Sequence, residues 1–351
     1  MIDARFWTDR RVFLTGHTGF KGSWMALWLA RLGARTTGYA LAPPASPNLH
    51  ELIGANVAGT LGDVRDPAAL SRALRDARPS IVFHFAAQPI VRESYRDPVG
   101  TYATNVMGLV HLFEAVRATP SVEAVVVVTS DKCYENREWV WGYREDEPMG
   151  GADPYSNSKG CAELIVRGYR SSFFASPDAP KIASARAGNV IGGGDWSADR
   201  LVPDITTAVF AGHAPVLRNP ASVRPWQHVL EPLSGYLQLA QALVERGTAV
   251  AEGWNFGPGD EGTATVAEVS ERLSRALGSD GAWVRDTAEA LPESHVLRID
   301  SSKARARLDW RPRLSASETV DWTAEWYLGW REGAAPLSLC VDQLQKYEMK
   351  R

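Results

Sequence analysis

Short apolar runs alternate with amphipathic stretches through the first half of the chain, which predicts strand–helix units on a parallel sheet. Residues 11–15, 35–41, 80–85, 123–130 and 181–187 read as strands, and the run Val125–Val128 marks one buried on both faces. Residues 20–32, 99–117 and 153–170 carry helical periodicity between them. After Gly188 the rhythm breaks into a loop, Gly192-Gly193-Gly194-Asp195, and shorter elements punctuated by Pro203, Pro215, Pro220 and Pro225. The pattern therefore predicts an α/β fold: a doubly wound parallel sheet with a smaller mixed α/β substrate-binding lobe. Residues 1–188 are expected to form the large domain, with returns near 226–257. Residues 189–225 and 258–351 are expected to form the smaller lobe.

Composition adds exclusions. The chain has 351 residues, 45% hydrophobic and 23% charged, enough for one large core or two joined lobes. A net charge of -3 supplies no general basic field for nucleic acid or an anionic membrane, so an anionic ligand must meet local groups. The three cysteines, Cys133, Cys161 and Cys340, lack metal-ligand spacing and are an odd count for a disulfide framework, so no metal and a reducing, cytoplasmic setting are expected. The first eleven residues carry Asp3, Arg5, Asp9 and Arg10 rather than a signal-peptide core, and no apolar run is long enough for a bilayer. Of the thirteen tryptophans, Trp322 and Trp326 recur at helical spacing, which points to packing.

The first strand runs directly into Gly16-His17-Thr18-Gly19-Phe20-Lys21-Gly22 and then a helix. A nucleotide diphosphate needs close backbone approach and free N–H groups, and this junction supplies both. The spacing is G-x-x-G-x-x-G instead of the commoner G-x-G-x-x-G, yet its place marks a Rossmann-type dinucleotide site with Gly16, His17, Thr18, Gly19, Phe20 and Gly22 as contacts. No acid stands between Leu32 and His50 to hold the adenosine ribose hydroxyls of NAD, while Lys21, Arg31 and Arg35 are available to a phosphate. NAD and NADP both remain open at this stage. Asp63 and Val64 after the third strand, and Ala86, Ala87 and Gln88 after the fourth, are further contacts, because ligands collect at the carboxyl ends of parallel strands.

Tyr155 and Lys159 are four residues apart and share a helix face, where an ammonium stabilises phenolate and makes tyrosine a base for alcohol oxidation. With the Gly-rich loop, Ala86-Ala87, Asn105, Tyr155 and Lys159 in order, the chain resembles the extended short-chain dehydrogenases/reductases over almost its whole length. That family acts mostly on nucleotide sugars, through epimerases, dehydratases, decarboxylases and reductases. The resemblance implies that Asn105 and Thr129 help to hold the cofactor.

Thr129-Ser130-Asp131-Lys132 ends the fifth strand, where epimerases of the family usually carry uncharged residues at the last two positions. A 4-epimerase only oxidises and re-reduces one carbon. A 4,6-dehydratase also needs a base for the carbon 5 hydrogen and an acid for the carbon 6 hydroxyl, and adjacent ionisable residues at a strand end supply both. Asp-Lys is similar to the branch that acts on CDP-glucose, whereas the dTDP-glucose branch typically carries Asp-Glu. The matches 188–196 and 224–229 agree with it. The resemblance thus implies CDP-D-glucose as substrate, with Tyr155, Lys159 and Ser130 at carbon 4, Lys132 as base and Asp131 as acid. Asn189, Arg200 and Arg224, with Arg218 and His295 behind them, are expected on the cytidine diphosphate. Residues 99–117 and 153–170 match the helices through which the family commonly dimerises, so a homodimer or higher homo-oligomer is expected. A 4-epimerase and a non-catalytic nucleotide-binding protein remain the alternatives.

Overall fold

The computed structural model describes residues 2–44, 46–54, 57–259, 262–287 and 296–350. Its centre is a seven-stranded parallel sheet of β1 (Arg11–Thr15), β2 (Arg35–Ala40), β3 (Ala58–Leu61), β4 (Ile81–His84), β5 (Ala124–Val128) and β6 (Lys181–Arg186), closed by a short late strand. Four two- or three-residue strands come between: β7 (Val190–Ile191), β8 (Val216–Leu217), β9 (Val223–Pro225) and β10 (Gln227–His228). The late strand is β11 (Gly253–Asn255), and β12 (Thr263–Thr265) and β13 (Val284–Arg285) follow it. The spatial order is β11-β6-β5-β4-β1-β2-β3. The order reverses between β1 and β4, and a doubly wound sheet opens its ligand crevice at such a point.

Alternation along the strands feeds two cores. Val12, Leu14, Phe83 and Val126 face one side with the tryptophans Trp7, Trp24 and Trp28, while Phe13, Val82, Val125 and Val127 face the other with Leu112 and Phe113. Trp326 is fully buried, as its spacing predicts, whereas Trp226 and Trp196 reach the central cleft. The helix Leu230–Arg246 packs on β5 and β6, and β11 pairs with β6 through Trp254 opposite Ala185.

Three local departures from simple periodicity bear on the site. β5 stops at Val128, because Ser130 accepts a hydrogen bond from Lys132 N and turns Asp131–Cys133 into a single 3-10 turn. The expected helix over 99–117 is continuous from Pro98 to Arg117 but wound as a π-turn over Ala103–Met107. Such turns re-aim one side chain, here Asn105. Asp63 lies beyond β3 in a turn, accepting from Arg65 N at 2.9 Å. Outside the large sheet the short strands pair two by two, β7 with β10, β8 with β13 and β9 with β12.

Candidate active site

A cleft of about 660 Å³ opens at the carboxyl ends of the strands, between the sheet and residues 188–226. Its floor is stitched by Thr15, whose Oγ1 pairs with His84 Nδ1 at 2.8 Å and accepts from Phe85 N and Ala86 N at 3.1 Å. Gly16 has φ +74°, and a Cβ there would stand 2.8 Å from Ala86 N; one at Gly22 would overlap the Gly16 carbonyl. Gly19 caps the helix Phe20–Arg31 without a side-chain bond, and a helix start of this kind offers N–H groups to an anion. This tight turn fits the diphosphate of a dinucleotide, and Thr18, Phe20, Val64, Ala86 and Ala87 line the same cleft.

Three expected cofactor contacts do not line it. His17 is buried beneath the loop, its ring against Gly38 and edge-on to His50 at 5.3 Å, and burial with the charge of His50 lowers its pKa to about 4. Gln88 turns away to Thr101 Oγ1 at 2.9 Å and Ile90 O at 3.1 Å. Asn105 spends its polar atoms on the protein: Oδ1 accepts from Gln88 N at 2.8 Å, and Nδ2 donates to Gln88 O and to Ser158 Oγ at 2.9 Å. Asn105 therefore clamps the β4 exit loop to the helix Pro154–Ser172.

The cations considered for a phosphate of NADP are committed elsewhere. Arg31 pairs with Glu348 at 3.1 Å and Arg35 with Asp9 at 2.6 Å. Lys21 lies on the catalytic side of the loop, and burial first, then the charges of Arg200 and Lys159, lower its ammonium pKa to about 7. Asp63 lines the cleft with its carboxylate held by Arg65, and that hydrogen bond keeps its pKa low.

Tyr155 and Lys159 face the turn Ser130–Lys132 from the helix Pro154–Ser172, which Asp153 caps and Pro154 opens. Lys159 Nζ donates to Val128 O at 3.4 Å and lies 6.0 Å from the Tyr155 ring centroid. Burial lowers the Lys159 pKa to about 8. Burial also pushes the Tyr155 phenol up to about 12, against a hydrogen bond with Ser130 and the charge of Arg200 that pull it down. The expected neutral-range phenol is thus not present in the protein alone: the low-dielectric surroundings outweigh its partners.

Asp131 is 3% exposed. Its Oδ1 accepts from Ser130 Oγ at 2.9 Å, and its Oδ2 meets no donor among the described residues. Burial raises its pKa despite Lys132, Ser130 and Arg224, which lower it. Lys132 is half-buried on the same turn and lines the cleft. Behind them, Glu163 accepts from Thr129 Oγ1, from Ser184 Oγ at 2.7 Å and from Arg186 at 2.7 Å. Thr129, expected at the cofactor, is therefore also a tie between β5 and the catalytic helix.

The small lobe supplies the far wall with Asn189, Arg200, Arg218 and Arg224. Arg200 pairs with Asp195 at 3.0 Å and Arg218 with Asp199 at 3.2 Å. Arg224 is 6% exposed and donates to Val223 O at 3.0 Å. His295 lies outside the described residues. This wall also carries three acids, Asp195, Asp199 and Asp204, with Arg92 opposite them, and of the four only Asp195, beside the Gly192–Gly194 loop, has a local sequence signature.

Residues 13–323 match the family model described as GDP-mannose 4,6 dehydratase. The chain is 50% identical over 353 aligned residues to a CDP-glucose 4,6-dehydratase of Salmonella typhimurium, covering 99% of this chain and 98% of that one. It is 27% identical to a dTDP-glucose 4,6-dehydratase of Xanthomonas campestris, covering 94% and 97%. Among solved structures, a dTDP-glucose 4,6-dehydratase of Streptomyces venezuelae with NAD bound superposes with a TM-score of 0.79 at 25% identity, covering 93% and 99%.

Proposed function

Because the chain belongs to the GDP-mannose 4,6 dehydratase family, within the extended short-chain dehydrogenases/reductases, we propose that it converts CDP-D-glucose to CDP-4-keto-6-deoxy-D-glucose and water with bound NAD. The relative at 50% identity supports the substrate. The observation that carries the reaction is Asp131: a buried carboxyl with one unpartnered oxygen and a raised pKa, beside Ser130 and facing Tyr155. A carboxyl kept protonated is what a departing hydroxyl needs and what simple epimerisation does not.

The Gly16–Gly22 turn, Val64, Ala86 and Ala87 would hold NAD. Bound there, NAD would supply the hydride chemistry, as acceptor toward carbon 4 and donor toward carbon 6. Tyr155 takes the proton of the carbon 4 hydroxyl, with Ser130 on the phenol. The ketone acidifies the carbon 5 hydrogen, which Lys132 removes. Asp131 gives its proton to the carbon 6 hydroxyl, which leaves as water. Carbon 5 is then reprotonated from Lys132. Arg200 and Arg224 hold the diphosphate, where guanidinium groups suit paired oxygens. Incubation with CDP-glucose and mass analysis tests the reading: a product lighter by one water supports it, and an isomer of unchanged mass replaces it with 4-epimerisation.

The working form is a homodimer built on the helices of 98–117 and 154–172. Val99, Met107 and Leu164 support this, as large apolar side chains exposed on those segments. A cytoplasmic setting agrees with free cysteines and with described helices too short or too polar to cross a membrane. A monomer in light scattering would remove the dimer.

A further inference from the structure

The reaction chemistry leaves one part of the cleft without a task. On the small-lobe wall the helix Leu201–Phe210 and β8 carry a mixed surface: Leu201, Pro203, Val216 and Leu217 are apolar, and Asp204 and Arg218 are the charged pair between them. The acids of this wall differ in how far they are already satisfied. Asp195 bonds Arg200 and Ser197 N, and Asp199 bonds both Arg92 and Arg218 at 3.3 and 3.2 Å. Among the described residues Asp204 has only Arg218, at 3.8 Å, beyond hydrogen-bond range. Its side chain is 44% exposed, so it retains acceptor capacity toward the cleft. Burial of the carboxyl raises its pKa to about 6, with Arg218 only partly offsetting that, as expected for a carboxylate short of donors.

We propose that Asp204, with Arg218 beside it, reads the cytosine of the substrate, the carboxylate accepting from the exocyclic amine and the guanidinium donating to the ring nitrogen and carbonyl oxygen. This rests on the nucleotide-sugar reading above and names its base-specificity pair. Cytosine presents a donor, an acceptor and an acceptor along that edge; uracil and thymine present an acceptor, a donor and an acceptor. A carboxylate accepts from the cytosine amine but faces the lone pairs of a uracil or thymine carbonyl, so the same atom attracts one base and repels the others. The apolar side chains around the pair suit the faces of a pyrimidine ring.

The test uses the intact enzyme with NAD, and turnover of CDP-glucose by the wild type is established first; failure there removes the proposed function itself. Competition by CDP, UDP and a CDP analogue lacking the exocyclic amine is then measured against CDP-glucose. In the wild type, loss of the amine weakens inhibition ~10-fold or more, and UDP is weaker still. In Asp204→Asn, whose amide is able to donate to a uracil carbonyl, the CDP-to-UDP ratio falls ~10-fold or more. Equal inhibition by CDP and its amine-free analogue in the wild type overturns the proposal without recourse to any variant. So does an Asp204→Asn enzyme that weakens CDP and UDP by the same factor, which would place the pair on the diphosphate.

Discussion

Ser130 Oγ donates to one oxygen of Asp131 at 2.9 Å, and the other oxygen, equally buried, meets no donor among the described residues. Burial disfavours a carboxylate in that position despite Lys132 and Arg224, and a carboxylic acid there would offer its proton to a ligand. The proposed acid role of Asp131 rests on that asymmetry. Asp131→Asn is expected to keep the first oxidation and lose the elimination. Single-turnover absorbance should show reduced cofactor building up, with dehydrated product formed ~10²-fold or more slowly. A variant that dehydrates at the wild-type rate would take the acid role from Asp131.

The same carboxyl sets a pH limb. Its pKa is raised, so the active protonated form persists at higher pH than for a free aspartate and is lost as pH rises through the raised value. The elimination step is therefore expected to decline on the alkaline side, while cofactor binding measured at the same pH values does not follow it. An elimination rate flat across that side would contradict the assignment.

Glu163 and Arg186 form a buried ion pair at 2.7 Å that joins the catalytic helix to β6. Removing the acid leaves a buried guanidinium without its charge partner, which is expected to cost about 3–5 kcal/mol. Glu163→Gln should lower the denaturant midpoint accordingly and loosen Thr129 beside Ser130. Glu163→Gln together with Arg186→Met should recover part of the loss, because the pair is then removed as a unit.

Glu231 is buried and accepts from Arg313 N at 2.8 Å, Leu314 N at 2.7 Å and Tyr347 Oη at 2.7 Å, tying the C-terminal helix Pro336–Met349 to Leu230–Arg246. Burial nevertheless pushes its pKa from 4.5 up to about 7. A raised acid pKa means that the folded state holds the proton more tightly than the unfolded one. Stability from this group is full below the unfolded value, falls as pH climbs from about 4.5 to about 7, and levels off above. The loss over that window is on the order of 3 kcal/mol. In Glu231→Gln the melting temperature should show less decline between pH ~5 and ~7 than in the wild type. Parallel curves for the two proteins would refute the linkage.

Gly16→Ala is expected to weaken NAD binding ~10-fold or more, since φ +74° and the approach to Ala86 N both exclude a side chain. Titration of cofactor fluorescence quenching reads this directly. Unchanged affinity would show that the turn does not hold the diphosphate.

The parts of this site legible in the sequence are those with a local signature. The parallel strands announce themselves by apolar runs, and Tyr155 with Lys159 by helical spacing on a capped helix. The Gly-rich turn is visible because only glycine tolerates its contacts. Side-chain direction outside regular periodicity has no such signature: burial under β2 sets that of His17, a bond to Thr101 that of Gln88, and bonds to Gln88 and Ser158 that of Asn105. Asp199 and Asp204 carry no local signature: one sits in a turn and the other on an ordinary helix, and only the fold sets them beside Arg218. The direction of the Tyr155 shift is opposite to that expected from its spacing to Lys159, because burial is a tertiary quantity and here outweighs the partners that sequence suggests.

Transfer of the carbon 4 hydrogen to carbon 6 within one catalytic cycle is the central claim. CDP-glucose labelled with deuterium at carbon 4 should give a product that has lost one water and carries the label at carbon 6, read by mass spectrometry and proton resonance. A product of unchanged mass, or a dehydrated product with the label washed out to solvent, would contradict the account.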